Sequence, residues 1–182
     1  PAHAGSVHGL IRVYNAEKRH QDIIALCEKQ IAAGSPDSGF LLRKGDAEFA
    51  LGRIPQAVRT YEQYLTRVPE NTGVLKCVAR CQIKLKKNQD AAKTLEVLLE
   101  KGEADAQVFR LKAYLLLISG KIREAVDYLE KTLEEEPGDI WTLRIKADAH
   151  ISLKEFAPAL WCLDRVLATE PGTLTVMERK GK

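Results

Sequence analysis

The sequence predicts an all-α fold, a solenoid of stacked antiparallel helical hairpins, and three observations carry that expectation. Small residues recur at a fixed step: Ala57, Ala91, Ala125 and Ala159 stand 34 residues apart, and Gly45, Ala79, Ala113 and Ala147 keep the same interval. Self-similarity at a period between about 20 and 50 residues marks a repeat array. Within a period the apolar residues recur every three or four positions, as Ala125, Val126, Leu129 and Leu133 show, which is helical spacing and not strand alternation. Prolines fall where helices break. Pro36, Pro69, Pro137 and Pro171 lie between periods, while Pro55 and Pro158 fall in the first turn of a helix, where a missing N–H is harmless.

Each period holds two helices. In the clearest one, a first helix runs from about Gln107 to Ser119 and stops at Gly120, a residue suited to a left-handed C-cap. The second helix carries Ala125, then Leu129 and Leu133. The same register gives Tyr61 and Leu65, Leu95 and Leu99, and Leu163 and Leu167 in the other periods, closed by Pro69, Glu103, Pro137 and Pro171. One hairpin cannot bury its apolar side alone, so successive hairpins stack.

This 34-residue helix–turn–helix unit resembles the tetratricopeptide repeat, with a large residue at position 4, small ones at 8 and 20, an aromatic or apolar one at 24 and proline at 32. Four units fit, at 38–71, 72–105, 106–139 and 140–173. A degenerate one fits at 4–37, with Val7, Ile11, Ile23, Cys27 and Ile31 at the key places. There isoleucine replaces both small residues. Position 27, usually alanine, is Gln30, Tyr64, Leu98, Thr132 and Val166, which implies altered helix spacing within the same fold. Residues 1–3 read as the end of a preceding repeat and 174–182 as the start of a truncated sixth, in which Lys180–Gly181 repeats Lys44–Gly45. The expectation is thus an excerpt from a longer array.

The resemblance implies a right-handed superhelix whose groove is lined by the first helix of each unit, at positions 2, 5, 6, 9, 12 and 13. Carried over residue by residue, the peptide-binding candidates are Arg12, Arg43, Phe49, Lys76, Arg80, Arg110, Tyr114, Trp141 and Arg144. His8, Leu42, Asp46, Ile83, Leu117, Asp148 and Ile151 stand beside them. Lys76, Arg110 and Arg144 share position 5. Such a row suits an acidic peptide held by charge-assisted hydrogen bonds and apolar anchors. The alternative is a set of solvated charges that keep a groove open. A further alternative is a structural segment that self-associates through uncapped array ends. The chaperone-tail clamp of one subfamily is not met, because beyond Lys76 its polar positions hold Arg80, Leu111, Trp141 and Ile145.

Other classes are excluded or weighed down by composition. The chain has 182 residues, 45% hydrophobic and 29% charged, which fits a folded protein. Its longest apolar run, Tyr114 to Ile118, is far too short to span a membrane, and Pro1 to Leu10 is no secretory leader. A cytoplasmic location is therefore expected. The 28 basic residues exceed the 25 acidic ones by only three, interspersed, which argues against a general nucleic-acid binder. Helical arrays that read single-stranded RNA typically use a 35-residue period and polar code positions, unlike this one.

No catalytic motif is present: neither GxSxG, GxxxxGK[ST], HExxH nor GxGxxG occurs. The expectation is a non-catalytic interaction module with no cofactor. Cys77 and Cys81 share a helix face, but no second ligand pair accompanies them for zinc, so the four cysteines read as small hydrophobes. His150 falls at a packing position. Glu134, Glu135 and Glu136 read as a solvated helix tip.

Overall fold

The computed structural model describes residues 2–169, with side chains from Ser6 onward. Among the described residues every regular element is a helix: α1 (Ala2–Ala16), α2 (His20–Ala32), α3 (Gly39–Ala50), α4 (Ile54–Arg67), α5 (Thr72–Lys84), α6 (Asn88–Glu100), α7 (Ala106–Ile118), α8 (Ile122–Glu135), α9 (Ile140–Ser152) and α10 (Phe156–Thr169). The second helices α4, α6, α8 and α10 begin at residues 54, 88, 122 and 156, each 34 after the last. Pro1, Pro171 and the sixth-unit start at 174–182 lie outside the described residues. Two compact units divide at Thr94, inside α6: Pro1–Thr94 and Leu95–Lys182.

The turn inside each hairpin repeats as strictly as the helices do. Lys18, Gly52, Lys86, Gly120 and Lys154 all take positive φ, from 57° to 77°, at intervals of 34. That left-handed residue lets the N–H groups behind it reach back to the last carbonyls of the first helix, as Lys121 does to Leu116 at 2.9 Å. Glycine adopts this conformation freely, whereas the three lysines carry a Cβ penalty. Between hairpins, side chains cap the next helix. Asn71 accepts from the Val74 N–H at 3.0 Å, and Asp105 accepts from the Val108 N–H at 3.0 Å.

The core of the N-terminal unit shows why the small and large positions alternate. Gly45 on α3 faces Tyr61 on α4 so closely that a Cβ on residue 45 would sit 2.6 Å from Tyr61 Cε1. Tyr61 is 1% exposed and packs with Leu41, Val58, Tyr64, Val74 and Val78. In the first hairpin the volumes are exchanged: Ile11 and Ile23 occupy the two small positions, and the large position holds Cys27. All three are buried, together with Ile24, Phe40 and Ala47. The bulk therefore sits at positions 8 and 20, and the small side chain at position 24, the reverse of the later units. The C-terminal unit uses the intermediate solution, with Ala113 and Ala125 against Leu129 and with Leu133, Leu143 and Val166 clustered beyond.

An ion pair between neighbouring hairpins recurs with the repeat. Lys44 meets Glu28 at 3.0 Å, Lys146 meets Glu130 at 2.9 Å, and Lys112 meets Glu96. Each lysine lies 16 residues after its glutamate and buries most of its stem while its ammonium reaches the carboxylate.

Candidate functional site

In the N-terminal unit the first helices present a pair of cavities that share Asp46. The larger, about 310 Å³, lies among α1, α2 and α3. Arg12, Arg43, His8, His20, Asn15 and Asp46 supply its polar wall, over a floor of Ile11, Ile23 and Ala47. The smaller, about 200 Å³, is lined by Asp46, Phe49, Tyr61, Cys77 and Arg80. The helical repeat explains this placement. Each residue turns the side-chain direction by about 100°, so burying Ile11 leaves Arg12 at the edge of the core, and burying Leu41 and Ala47 leaves Arg43 and Asp46 there.

The polar contacts fix several of these groups. The Tyr61 hydroxyl donates to Asp46 Oδ1 at 2.9 Å. Crowding by protein pushes the Asp46 carboxyl above the ordinary carboxylate range, opposed by that hydrogen bond and by the Arg43 charge. The Arg80 guanidinium lies 4.8 Å from the Phe49 ring centroid, and Lys84 Nζ lies 5.6 Å from it. His8 stacks on Phe40 at 5.0 Å and joins Asp37 through Nε2 at 2.8 Å. The Gly39 N–H, then His8, holds the Asp37 carboxyl below its usual range.

The C-terminal unit has a different chemistry on its first helices. Arg110 is committed locally: its Nη2 donates to Glu136 at 2.5 Å, lies 3.3 Å from Asp139, and its guanidinium stands 6.0 Å from the Trp141 ring. Its Nε is buried with no partner among the described residues. Tyr114 and Trp141 are exposed, as are Ile118 and Ile151, so this face is mainly apolar. Arg144 is exposed on α9, and Lys76, in the other unit, is half-buried on α5. The two units also differ in net charge. Pro1–Thr94 carries 15 basic and 9 acidic residues, or +6, whereas Leu95–Lys182 carries 13 and 16, or −3.

Of the residues singled out from the sequence, the structure brings Arg12 and Arg43 into one cavity and Phe49 and Arg80 into the next. His20 and Asn15 complete the first cavity. His20 begins a second helix, a position that a pattern confined to first helices skips. The glutamate run is exposed, as in a solvated tip, and two of its carboxylates are also engaged. Glu135 accepts from the Ala106 N–H at 2.6 Å, and Glu136 takes Arg110, so both carboxylates tie α8 and the turn after it to the start of α7. Their partners lie 29 and 26 residues away, beyond any local pattern.

The cysteine thiols of the N-terminal unit are shifted away from the reactive thiolate form. Burial pushes the Cys77 thiol up, and the Cys27 and Cys81 thiols up to about 11. All four cysteines are free. His150 is buried and joins Glu155 through Nδ1 at 2.8 Å, with Arg123 on the same carboxylate at 2.9 Å. Among the described residues no three metal-ligating side chains converge, and no helix is long and apolar enough to cross a membrane.

Paired helices at a 34-residue step, with polar and aromatic side chains presented from the first helix of each pair, define a class. A family model of the tetratricopeptide repeat matches residues 48–115. The fold of the chain is similar to that of MamA 41-end from Desulfovibrio magneticus RS-1, with a TM-score of 0.83 and 15% identity over 92% of this chain and 95% of that one. MamA from AMB-1 is similar at a TM-score of 0.74 and 18% identity, covering 92% and 91%. MamA from MSR-1 gives 0.72 and 17%, covering 91% and 95%. At these identities the likeness shows the all-α solenoid fold alone. A sequence comparison with curated proteins found no significant match.

Proposed function

We propose that this chain is a non-catalytic protein-interaction scaffold whose N-terminal unit takes an extended acidic segment of a partner protein on its first-helix face. The observation that carries the reading is the grouping of Arg12 and Arg43 in one cavity and of Arg80 on Phe49 in the next, in a unit of net charge +6. Arginines at cavity edges pair with carboxylates bidentately, and an aromatic beside them offers apolar anchorage. A preformed face of this kind lowers the ordering cost borne by the incoming segment. In the C-terminal unit, exposed Tyr114 and Trp141 supply apolar contact, while Arg110 holds the turn that precedes Trp141.

Selection from a random displayed peptide library tests this reading. Enrichment of Asp- and Glu-rich sequences, with binding that weakens as salt rises, supports it. Selected peptides without acidic residues, or affinity indifferent to salt, would count against it. A second reading, self-association, rests on Phe156, Leu160 and Trp161, which α10 leaves 62%, 60% and 52% exposed. Light scattering over a concentration range separates the two: a constant monomer mass removes self-association.

A further inference from the structure

We propose that the 310 Å³ cavity among α1, α2 and α3 is a phosphoryl-binding pocket, which takes the phosphomonoester of a phosphorylated side chain with Arg12 and Arg43 as its two guanidinium forks. The proposal rests on the reading that this face receives a partner's segment, and it names the group that the segment presents there. Donor counting favours phosphoryl over carboxylate. One carboxylate is filled by one bidentate arginine, which would leave the second guanidinium, the Asn15 amide and the His20 ring unused in the same wall. A phosphomonoester has three terminal oxygens and a charge near −2, and two forks with a neighbouring amide match it.

The rest of the cavity fits the same group. Neither Arg12 nor Arg43 forms an ion pair with a described residue within 4 Å, so their donors are available, whereas Arg110 in the other unit is already spent on Glu136 and Asp139. The floor of Ile11, Ile23 and Ala47 suits the carbon stem behind a phosphate. His8 is held at the rim by Phe40 and Asp37. Asp46 is the one carboxylate in the wall, and the Tyr61 hydroxyl holds it from the neighbouring cavity. Its carboxyl already sits above the ordinary range, so an arriving dianion is accommodated by proton uptake on Asp46 at less cost than for a normal aspartate.

Phenyl phosphate and phenylacetate are matched small probes, titrated into the 182-residue protein and followed by NMR shifts of the arginine Nε–H and asparagine amide signals. The pocket predicts saturable shifts at Arg12, Arg43 and Asn15 with phenyl phosphate, and phenylacetate weaker by about tenfold or more. Arg12→Gln and Arg43→Gln each weaken phenyl phosphate by about tenfold or more, while Arg59→Gln on α4 leaves it unchanged. Equal affinity for the two probes, shifts centred elsewhere, or binding that survives the Arg12→Gln/Arg43→Gln double variant would overturn the proposal. The comparison of the two probes on the unaltered chain decides it even if the double variant does not fold. Acidic library peptides that bind without any preference for phenyl phosphate would overturn this pocket and leave the segment reading standing. Loss of both would remove both.

Discussion

Gly45→Ala is the sharpest perturbation of the packing rule on which the array is built. In an isolated helix the change gains about 1 kcal/mol, because alanine is the better helix former. Here the new methyl lands 2.6 Å from Tyr61 Cε1 and 2.8 Å from Cδ1, on the body of a ring that is 1% exposed and tethered through its hydroxyl to Asp46. The ring is enclosed by Leu41, Val74 and Val78, so relief requires α3 and α4 to separate. Overpacking of this kind costs about 1–3 kcal/mol, which offsets or outweighs the propensity gain and leaves a net loss of up to about 2 kcal/mol. Tyr61→Leu supplies the test of cause, since leucine with alanine is the pairing used in the later units. In that background Gly45→Ala is expected to stabilise by about 1 kcal/mol, giving a coupling of about 1–3 kcal/mol across the cycle, equal to the overpacking cost. Chemical denaturation of the four proteins measures it. A destabilisation by Gly45→Ala that is the same with tyrosine or leucine at 61 would refute the reasoning.

Other expectations follow from the same physical picture. Ala125→Leu, at a residue with no exposure between α7 and α8, should cost about 1–3 kcal/mol by overpacking, and unchanged thermal unfolding would sink the assigned register. Lys154→Gly relieves a Cβ penalty at φ 60° and should be neutral or stabilising by up to about 1 kcal/mol, whereas Gly120→Val at φ 77° should be clearly destabilising by denaturation. Asp46→Asn removes a carboxylate whose folded pKa is raised, a group that opposes folding once ionised. The variant's advantage in stability should therefore be largest near neutral pH and shrink as pH falls through the raised pKa and into the ordinary aspartate range. A difference that grows on acidification would show that the sign is wrong.

Much of the fold was legible because the repeat writes the same packing problem several times. Helix starts at 54, 88, 122 and 156 follow the 34-residue step of Ala57, Ala91, Ala125 and Ala159, and a single period read alone would have been far weaker. The reversal of large and small residues among Ile11, Ile23 and Cys27 was harder to read, since each of the three departs from the pattern. The candidate site divides in the same way. Arg12, Arg43, Phe49 and Arg80 follow from first-helix register, but Arg110 belongs to the same set of first-helix groove positions and is spent on a turn 26 residues away. The ladder of Lys44, Lys112 and Lys146 on Glu28, Glu96 and Glu130 had a sequence signal, a 16-residue separation recurring with the period. That signal becomes visible only when residues are paired between neighbouring hairpins and not within one.

The central claim is that the first-helix face of the N-terminal unit, and not merely its positive charge, recognises acidic segments. Two triple variants of equal net charge test it directly, using an acidic peptide selected on the unaltered protein. One is Arg12→Glu/Arg43→Glu/Arg80→Glu, and the other is Arg53→Glu/Arg59→Glu/Arg67→Glu, on α4 and the residue before it, where all three arginines are exposed. The account predicts that the first variant loses binding by about 100-fold or more while the second stays within about threefold of the parent at moderate salt. Equal losses in the two variants, with both folded by circular dichroism, would contradict it.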